Sequence, residues 1–326
     1  MGPATAIRWV GIAATAFALV MPMTAAAQDA TPAPSCPALD DATMATMAKG
    51  WTDHSFDPAD DPAFDATLAP NLLYHSAAFG DVDAAGWLAG RKKLAASFPD
   101  AAITVNQTIV DAPWAVTQWT ARGTFSGAPF LDAPATGQPV GWDGINIYRF
   151  DCGKIAEAWT QIDQYGRLDA VVPTEPAATP APACADPAAE ISDADAQTIL
   201  TRWWNEGWNG PDAEAIADIT APDVLHHWAM GADTTGDAAI AERVASWKTS
   251  MPDLTITPAE ILTDGNLAAA RWIADGTDTG GIMGAAPTGK HATWGGINLF
   301  RIQCGEITEV WSEMDAMSMA AQLSGK

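Results

Sequence analysis

The stretch Trp142-Asp143-Gly144-Ile145-Asn146-Ile147-Tyr148-Arg149-Phe150-Asp151-Cys152-Gly153-Lys154-Ile155-Ala156-Glu157-Ala158-Trp159 returns 152 positions later as Trp294-Gly295-Gly296-Ile297-Asn298-Leu299-Phe300-Arg301-Ile302-Gln303-Cys304-Gly305-Glu306-Ile307-Thr308-Glu309-Val310-Trp311. Each copy reads as two apolar strand-like runs around a Cys-Gly turn. Solenoid repeats recur every 20 to 50 residues, so this shift marks duplication of a whole globular unit of roughly 140 residues. The offset holds elsewhere: Ala69-Pro70 with Leu73 and His75 matches Ala221-Pro222 with Leu225 and His227, and Phe98-Pro99-Asp100 matches Met251-Pro252-Asp253 within one residue.

Outward from the repeat, residues 171–190 are mostly Pro, Ala and Thr without an apolar period, the composition of a semi-extended linker. A similar tail covers 28–37. The expected order is a leader over 1–27, the tail, a first domain over 38–170, the linker, and a second domain over 191–326. In the second domain Ser192 to Asp195 supply capping residues. Ile199, Leu200, Trp203, Trp204 and Trp208 follow with helical spacing. Further helices are expected over 213–219 and 237–250. After Met251-Pro252-Asp253 come short apolar runs separated by Gly, Asp or Pro, which are strands. Helices followed by an antiparallel sheet make an α+β fold.

Residues 1–27 carry one charge, Arg8, then an apolar run from Trp9 to Met21 and Ala25-Ala26-Ala27. This is the pattern of a cleaved signal peptide and places the mature chain in the periplasm or outside the cell, with no membrane segment after cleavage. The net charge of −24, without a clustered Lys/Arg stripe, excludes nucleic acid and anionic lipid as partners. The four cysteines fall one early and one late in each unit, an arrangement that favours disulfides Cys36–Cys152 and Cys184–Cys304. No Cys pair has zinc-ligand spacing. Neither a metal nor a cofactor is expected, and phosphate-loop, nucleophile-elbow and His-Glu-x-x-His patterns do not occur.

The run Gly276-Thr277, Gly280-Gly281, Gly284, Gly289-Lys290, Trp294, Phe300-Arg301, Gly305-Glu306-Ile307, Glu309, Trp311 and Asp315 resembles the SnoaL-like polyketide cyclase (ester cyclase) family. Gly123-Thr124, Gly127, Trp142, Tyr148-Arg149, Gly153-Lys154-Ile155, Glu157, Trp159 and Asp163 repeat the string less fully. The resemblance implies the nuclear-transport-factor-2-like fold in each domain, a curved antiparallel sheet and three helices enclosing a conical pocket. It further implies association through the open sheet face, which here would make the two copies an intramolecular pseudo-dimer. The family's cyclases place an acid/base Asp directly after the last-strand tryptophan and a His on the preceding strand. Those positions fall on Thr160 and Ser312, and on Asn146 and Asn298. Thr and Ser do not exchange protons near neutral pH as a carboxylate does, which argues against aldol cyclisation.

Candidate acid/base residues are then His75 and His227, each on a Pro-initiated strand, and Asp163 and Asp315 at the last strand's end. In the pair His226-His227 the match with His75 selects His227 as the inward residue, with His226 and Tyr74 facing away. Structural roles compete: a hydrogen-bonded histidine, and a turn or helix-capping aspartate. Trp119, Trp142, Asn146 and Thr160, with Trp272, Trp294, Asn298 and Ser312, are the candidate ligand contacts. A buried amide without partners is costly, so the two asparagines are the most informative of these. Two functions fit: cofactor-free proton-transfer or hydrolytic chemistry on an apolar or carbonyl-bearing ligand, or ligand binding without reaction.

Overall fold

The computed structural model describes residues 36, 38–59, 61–76, 78–131, 133–163 and 189–325. The leader, residues 28–35 of the tail, and the linker up to residue 188 lie outside the described residues, and so does Cys184. No helix among the described residues is long and apolar enough to cross a membrane.

In each domain helices pack on one six-stranded sheet. In the first, α1 (Asp41–His54) is capped by Asp40, whose side chain accepts from the Thr43 amide. A short α2 (Pro62–Asp65) and α3 (Ala84–Ser97) complete the helical layer. In the second, α4 (Asp193–Arg202) continues into a π-helical turn, Trp203–Trp208, which buries Trp203, Trp204 and Trp208 together. A 3₁₀ turn (Ala213–Asp218) and α5 (Asp237–Ser250) follow. A C-terminal helix α6 (Ala316–Ser324), unforeseen in the sequence, lies on the sheet and adds Met319 and Leu323 to the core.

The first sheet contains β1 (Leu68–Ser76), β2 (Gly80–Val82), β3 (Ala102–Asp111), β4 (Trp114–Thr124), β5 (Pro139–Asp151) and β6 (Lys154–Ile162), in the order β2-β1-β6-β5-β4-β3. The second repeats it with β7 (Thr220–Trp228), β8 (Thr234–Thr235), β9 (Thr255–Asp264), β10 (Leu267–Thr277), β11 (His291–Gln303) and β12 (Glu306–Met314). One ladder in each sheet departs from the antiparallel expectation: β1 runs parallel to β6, and β7 to β12. The long helical connections return those first strands in the direction of the last one, as a parallel pairing requires.

The repeated Cys-Gly pair makes the last hairpin turn in both domains. Cys152 and Cys304 have φ of 50° and 59°, and the glycines that follow have 75° and 82°. Two successive left-handed residues are the geometry of a type I′ turn, whose twist matches that of the flanking strands. Cys36 is bonded to Cys152, which ties the start of the first domain to its last hairpin.

Helices cover one face of each sheet, and the opposite faces meet. Ile109, Val116, Ile145 and Ile147 of the first sheet form one buried apolar cluster with Leu262, Ala269, Ile297 and Leu299 of the second. The Arg271 guanidinium lies 4.9 Å from the Trp159 ring centre across this seam. At the β3–β4 and β9–β10 turns the contacts are reciprocal: the Val110 amide donates to Asp264 Oδ2 at 3.1 Å, and the Thr263 amide to Asp111 Oδ2 at 3.0 Å. Ile297→Ala, which opens a cavity in this layer, is expected to lower stability by about 2–5 kcal/mol, measured by guanidinium unfolding. A loss below about 0.5 kcal/mol, the range of neutral surface changes, would show that the layer does not contribute.

Candidate ligand-binding site

In the second domain the concave sheet face and its helices converge on tryptophans. Trp204 and Trp208 come from the π-helical turn, Trp228 from β7, Trp247 from α5, Trp272 from β10 and Trp294 from β11; Asn298, Ser312 and Met314 line the same space. Its free volume is about 20 Å³, room for one water molecule or one ligand oxygen. A second cavity of about 310 Å³ adjoins it, lined by Trp228, Met230, Arg243, Ser246, Trp247 and Ile282. Trp228 and Trp247 line both spaces. The outer volume is at the lower end of the small-molecule range.

A glycine sets the inner wall. A Cβ on Gly296 would lie 2.1 Å from the Trp272 ring, so only glycine lets the indole cross β11 there. Trp272 Nε1 then donates to Asn298 Oδ1 at 2.8 Å. With its oxygen engaged, Asn298 presents its NH₂ group to the cone.

A chain of three polar side chains ends on Ser312. Arg243 Nη1 lies 3.1 Å from His226 Nδ1, and His226 Nε2 lies 2.8 Å from Ser312 Oγ. Guanidinium nitrogens only donate, so Nδ1 is the acceptor and the imidazole proton sits on Nε2. His226 therefore donates to Ser312 and cannot take its proton. Burial above all holds the imidazole well below its usual range, and the charges of Arg243 and His227 push the same way. The serine hydroxyl hydrogen is left for the cavity. The indole N–H groups of Trp204, Trp208 and Trp294 are buried without hydrogen-bond partners. The groups around this space with hydrogens still to place are the Asn298 amide, the Ser312 hydroxyl and these three indoles.

In the first domain several of the equivalent side chains bond to one another. Thr52 replaces Trp204, and its hydroxyl sits 3.0 Å from both Thr117 and Tyr148; Asn146 Nδ2 donates to the Tyr148 oxygen at 2.7 Å. Burial raises the Tyr148 pKa, so the phenol stays neutral within this network. Trp119, Trp142, Asn146 and Thr160 are all buried. The sequence expectation thus divides by domain, because Trp272, Trp294, Asn298 and Ser312 line one cavity whereas the Asn146 amide is tied to neighbouring hydroxyls.

The acid/base candidates lie elsewhere. His227 shares a cross-strand row with Trp311 and Leu299, on the face turned toward the other domain, while His226 shares one with Val310 and Phe300 on the concave face. This reverses the expected orientation: His226 and Tyr74 point inward, and His227 and His75 do not. His227 bonds Asp233 at 2.8 Å and Glu309 at 3.0 Å and stacks on Trp311. His75 repeats this with Asp81, Glu157 and Trp159. Asp315 accepts from the Ser318 amide as the N-cap of α6. The Asp163 amide donates to the Asp143 carbonyl oxygen at 3.0 Å, and its carboxylate acts on Asp143 and Glu313 at the domain seam. No group of three His, Cys, Asp or Glu among the described residues is placed to hold a metal ion. Sequence reasoning passed over His226, Arg243, Trp228 and Trp247; the usable signal was that His226 and Trp228 share pleat parity on β7.

A profile of the SnoaL-like polyketide cyclases matches residues 45–171 and again 198–323. The chain belongs to the SnoaL-like polyketide cyclase family. No curated protein matches it. Among solved structures it is similar to TsrD from Streptomyces laurentii, at 23% identity over 42% of this chain and 100% of that one, with a TM-score of 0.39. It is also similar to IdmH, a putative polyketide cyclase from Streptomyces antibioticus, at 28% identity over 39% and 97% with a TM-score of 0.34. AclR, a putative hydroxylase from Streptomyces galilaeus, matches at 21% identity over 41% and 84%, with a TM-score of 0.38.

The seam between the two SnoaL-like domains is electrostatically loaded. Burial, then the Asp163 charge, raises Asp143 to about 6. Burial, then Asp163, Asp143 and Asp233, raises Glu313 well above the carboxylate range. Burial opposes charge on His227, but its bonds to Asp233 and Glu309 prevail and raise it to about 9. An acid raised on folding loses its stability contribution as pH climbs from its unfolded value through the folded one, and a raised histidine does the same. Stability is therefore expected to fall between pH 4 and 6 through Asp143, and again between pH 6.5 and 9 through His227. Asp143→Asn should remove the part of the first decline that Asp143 causes, leaving that of Glu313, and add roughly 2–3 kcal/mol at pH 7, read as thermal midpoints across the pH series. An unchanged profile would remove Asp143 from this account.

Proposed function

We propose that the second SnoaL-like domain binds a flat, carbonyl-bearing small molecule. Its body occupies the outer cavity against Trp228 and Trp247, and a carbonyl oxygen reaches the inner space. The observation that carries this reading is the chemistry of the inner cone, where the Asn298 NH₂ and the Ser312 hydroxyl have hydrogens to place and no lining residue is a carboxylate. A carbonyl oxygen accepts two hydrogen bonds and carries no proton of its own to place.

The same geometry favours binding over aldol chemistry. Proton abstraction needs a basic group within reach, and the residues lining both cavities include no carboxylate. His226 is neutral, and its free lone pair is occupied by Arg243. Donors that polarise a carbonyl without a base hold a ligand unaltered. The first domain then serves as a structural partner, its Asn146 network taking the place of an open site. The reciprocal Asp111 and Asp264 contacts support a pseudo-dimer of the two copies, since a two-fold interface repeats each contact with its partners exchanged. The Cys36–Cys152 disulfide supports a location in the periplasm or outside the cell.

The test compares 9-fluorenone with fluorene, planar tricycles that differ in one carbonyl, by quenching of tryptophan fluorescence. Fluorenone is expected to bind at least about tenfold tighter, and Ser312→Ala and Asn298→Leu each to reduce that advantage by about 1 kcal/mol. Equal affinity for the two tricycles would refute the proposed role of the inner donors. Recovery of a chemically altered ligand after overnight incubation would replace binding by catalysis.

A further inference from the structure

The outer cavity contains a cation that the protein leaves unmatched. Arg91, Arg149, Arg202, Arg271 and Arg301 each have a carboxylate within 4 Å, in a chain with 40 Asp and Glu against 16 Lys and Arg. Arg122 and Arg243 have no such partner among the described residues, and of the two it is Arg243 that lines the outer cavity. One of its N–H groups goes to His226, and its guanidinium carbon lies 4.8 Å from the Trp228 ring centre. Asp233 acts on it only through space. The position belongs to the second domain alone, because α3 has Gly90 where α5 has Arg243.

We propose that Arg243 anchors the carboxylate of a monoanionic aromatic acid bound in the outer cavity. A guanidinium has five N–H donors in a planar fork that fits the two oxygens of a carboxylate, and one of the five is already used. The Trp228 ring beneath it and the contact with His226 hold the guanidinium at the cavity. Trp247, Met230 and Ile282 supply the apolar surface an aromatic body needs beside the charged end. One cation within a strongly acidic protein favours a single negative charge. A phosphate dianion would meet the same guanidinium with an unmatched second charge and the repulsion of the surrounding carboxylates.

This inference rests on the proposed binding of a carbonyl compound in the same domain, and it extends that ligand to a keto acid with carbonyl inward and carboxylate at Arg243. The test uses the 9-fluorenone-1-, -2- and -4-carboxylates and their methyl esters, titrated into the intact protein at pH 7.5 and low salt. At least one acid is expected to bind about tenfold or more tighter than its own ester. Arg243→Gln should bring that acid-to-ester ratio close to one, and Arg243→Lys should restore part of it. The ratio is internal to each variant, so partial loss of affinity from disturbing the His226 contact does not obscure it; circular dichroism verifies that each variant is folded. Acids that bind no better than their esters in all three pairs would overturn the anion site while leaving the preference for fluorenone over fluorene intact. A ratio that persists in Arg243→Gln would place the carboxylate elsewhere. Failure of fluorenone and all three acids to bind would overturn both readings.

Discussion

The central strands of both sheets are buried on two faces, and the pleat sends successive residues to opposite destinations. On β11, Asn298 and Phe300 face the cone while Ile297 and Leu299 face the other domain. On β12, Ser312 lines the cavity while Trp311 and Glu313 face the seam. On β7 the same alternation separates His226 from its neighbour His227. Site and interface are therefore built from interleaved residues of the same strands, and neither can shift register without destroying the other. Each bulge inserts one residue and reverses the alternation beyond it, so that Val310 and Ile307, three positions apart on β12, both face the helical core.

Within that frame the two copies have diverged through a few side chains. Trp204 against Thr52, Phe300 against Tyr148, and His226 against Tyr74 convert a space ringed by indoles into one filled by mutually bonded hydroxyls. There Thr52, Thr117 and Tyr148 bond to one another, while Asn146 Oδ1 and the Thr160 hydroxyl have no hydrogen-bond partner. The second copy leaves its donors facing a cavity and locks the histidine behind them with an arginine. The family's acid position is a hydroxyl in both copies, but in the second that hydroxyl is oriented from behind.

The seam gathers carboxylates that raise one another's pKa. Asp143, Asp163, Asp233 and Glu313 approach one another where two apolar sheet faces exclude water, and protonation relieves part of their repulsion. The counterpart positions on the other side of the seam are Gly295, Asp315, Asp81 and Gln161, where two carboxylates are missing. Duplicated domains need not keep symmetric charge, since an apolar layer large enough to hold them together tolerates a local electrostatic cost on one flank.

The duplication, the α+β order, the Cys36–Cys152 pairing and the cavity-lining set Trp272, Trp294, Asn298 and Ser312 were legible in the sequence, because each rests on spacing, composition or a family string along the chain. The inward choice between His226 and His227 was not. Adjacent strand residues differ only by pleat parity, and on a strand buried on both faces hydrophobicity does not say which face is the cone. Arg243 was also silent: on α5 it reads as an ordinary surface charge until folding brings it over Trp228 and against His226. What the chain determined alone was the architecture and the materials of the site; which groups face a cavity, which face the other copy, and which cation lacks a partner were decided by tertiary structure, since all three depend on contacts between residues far apart in sequence.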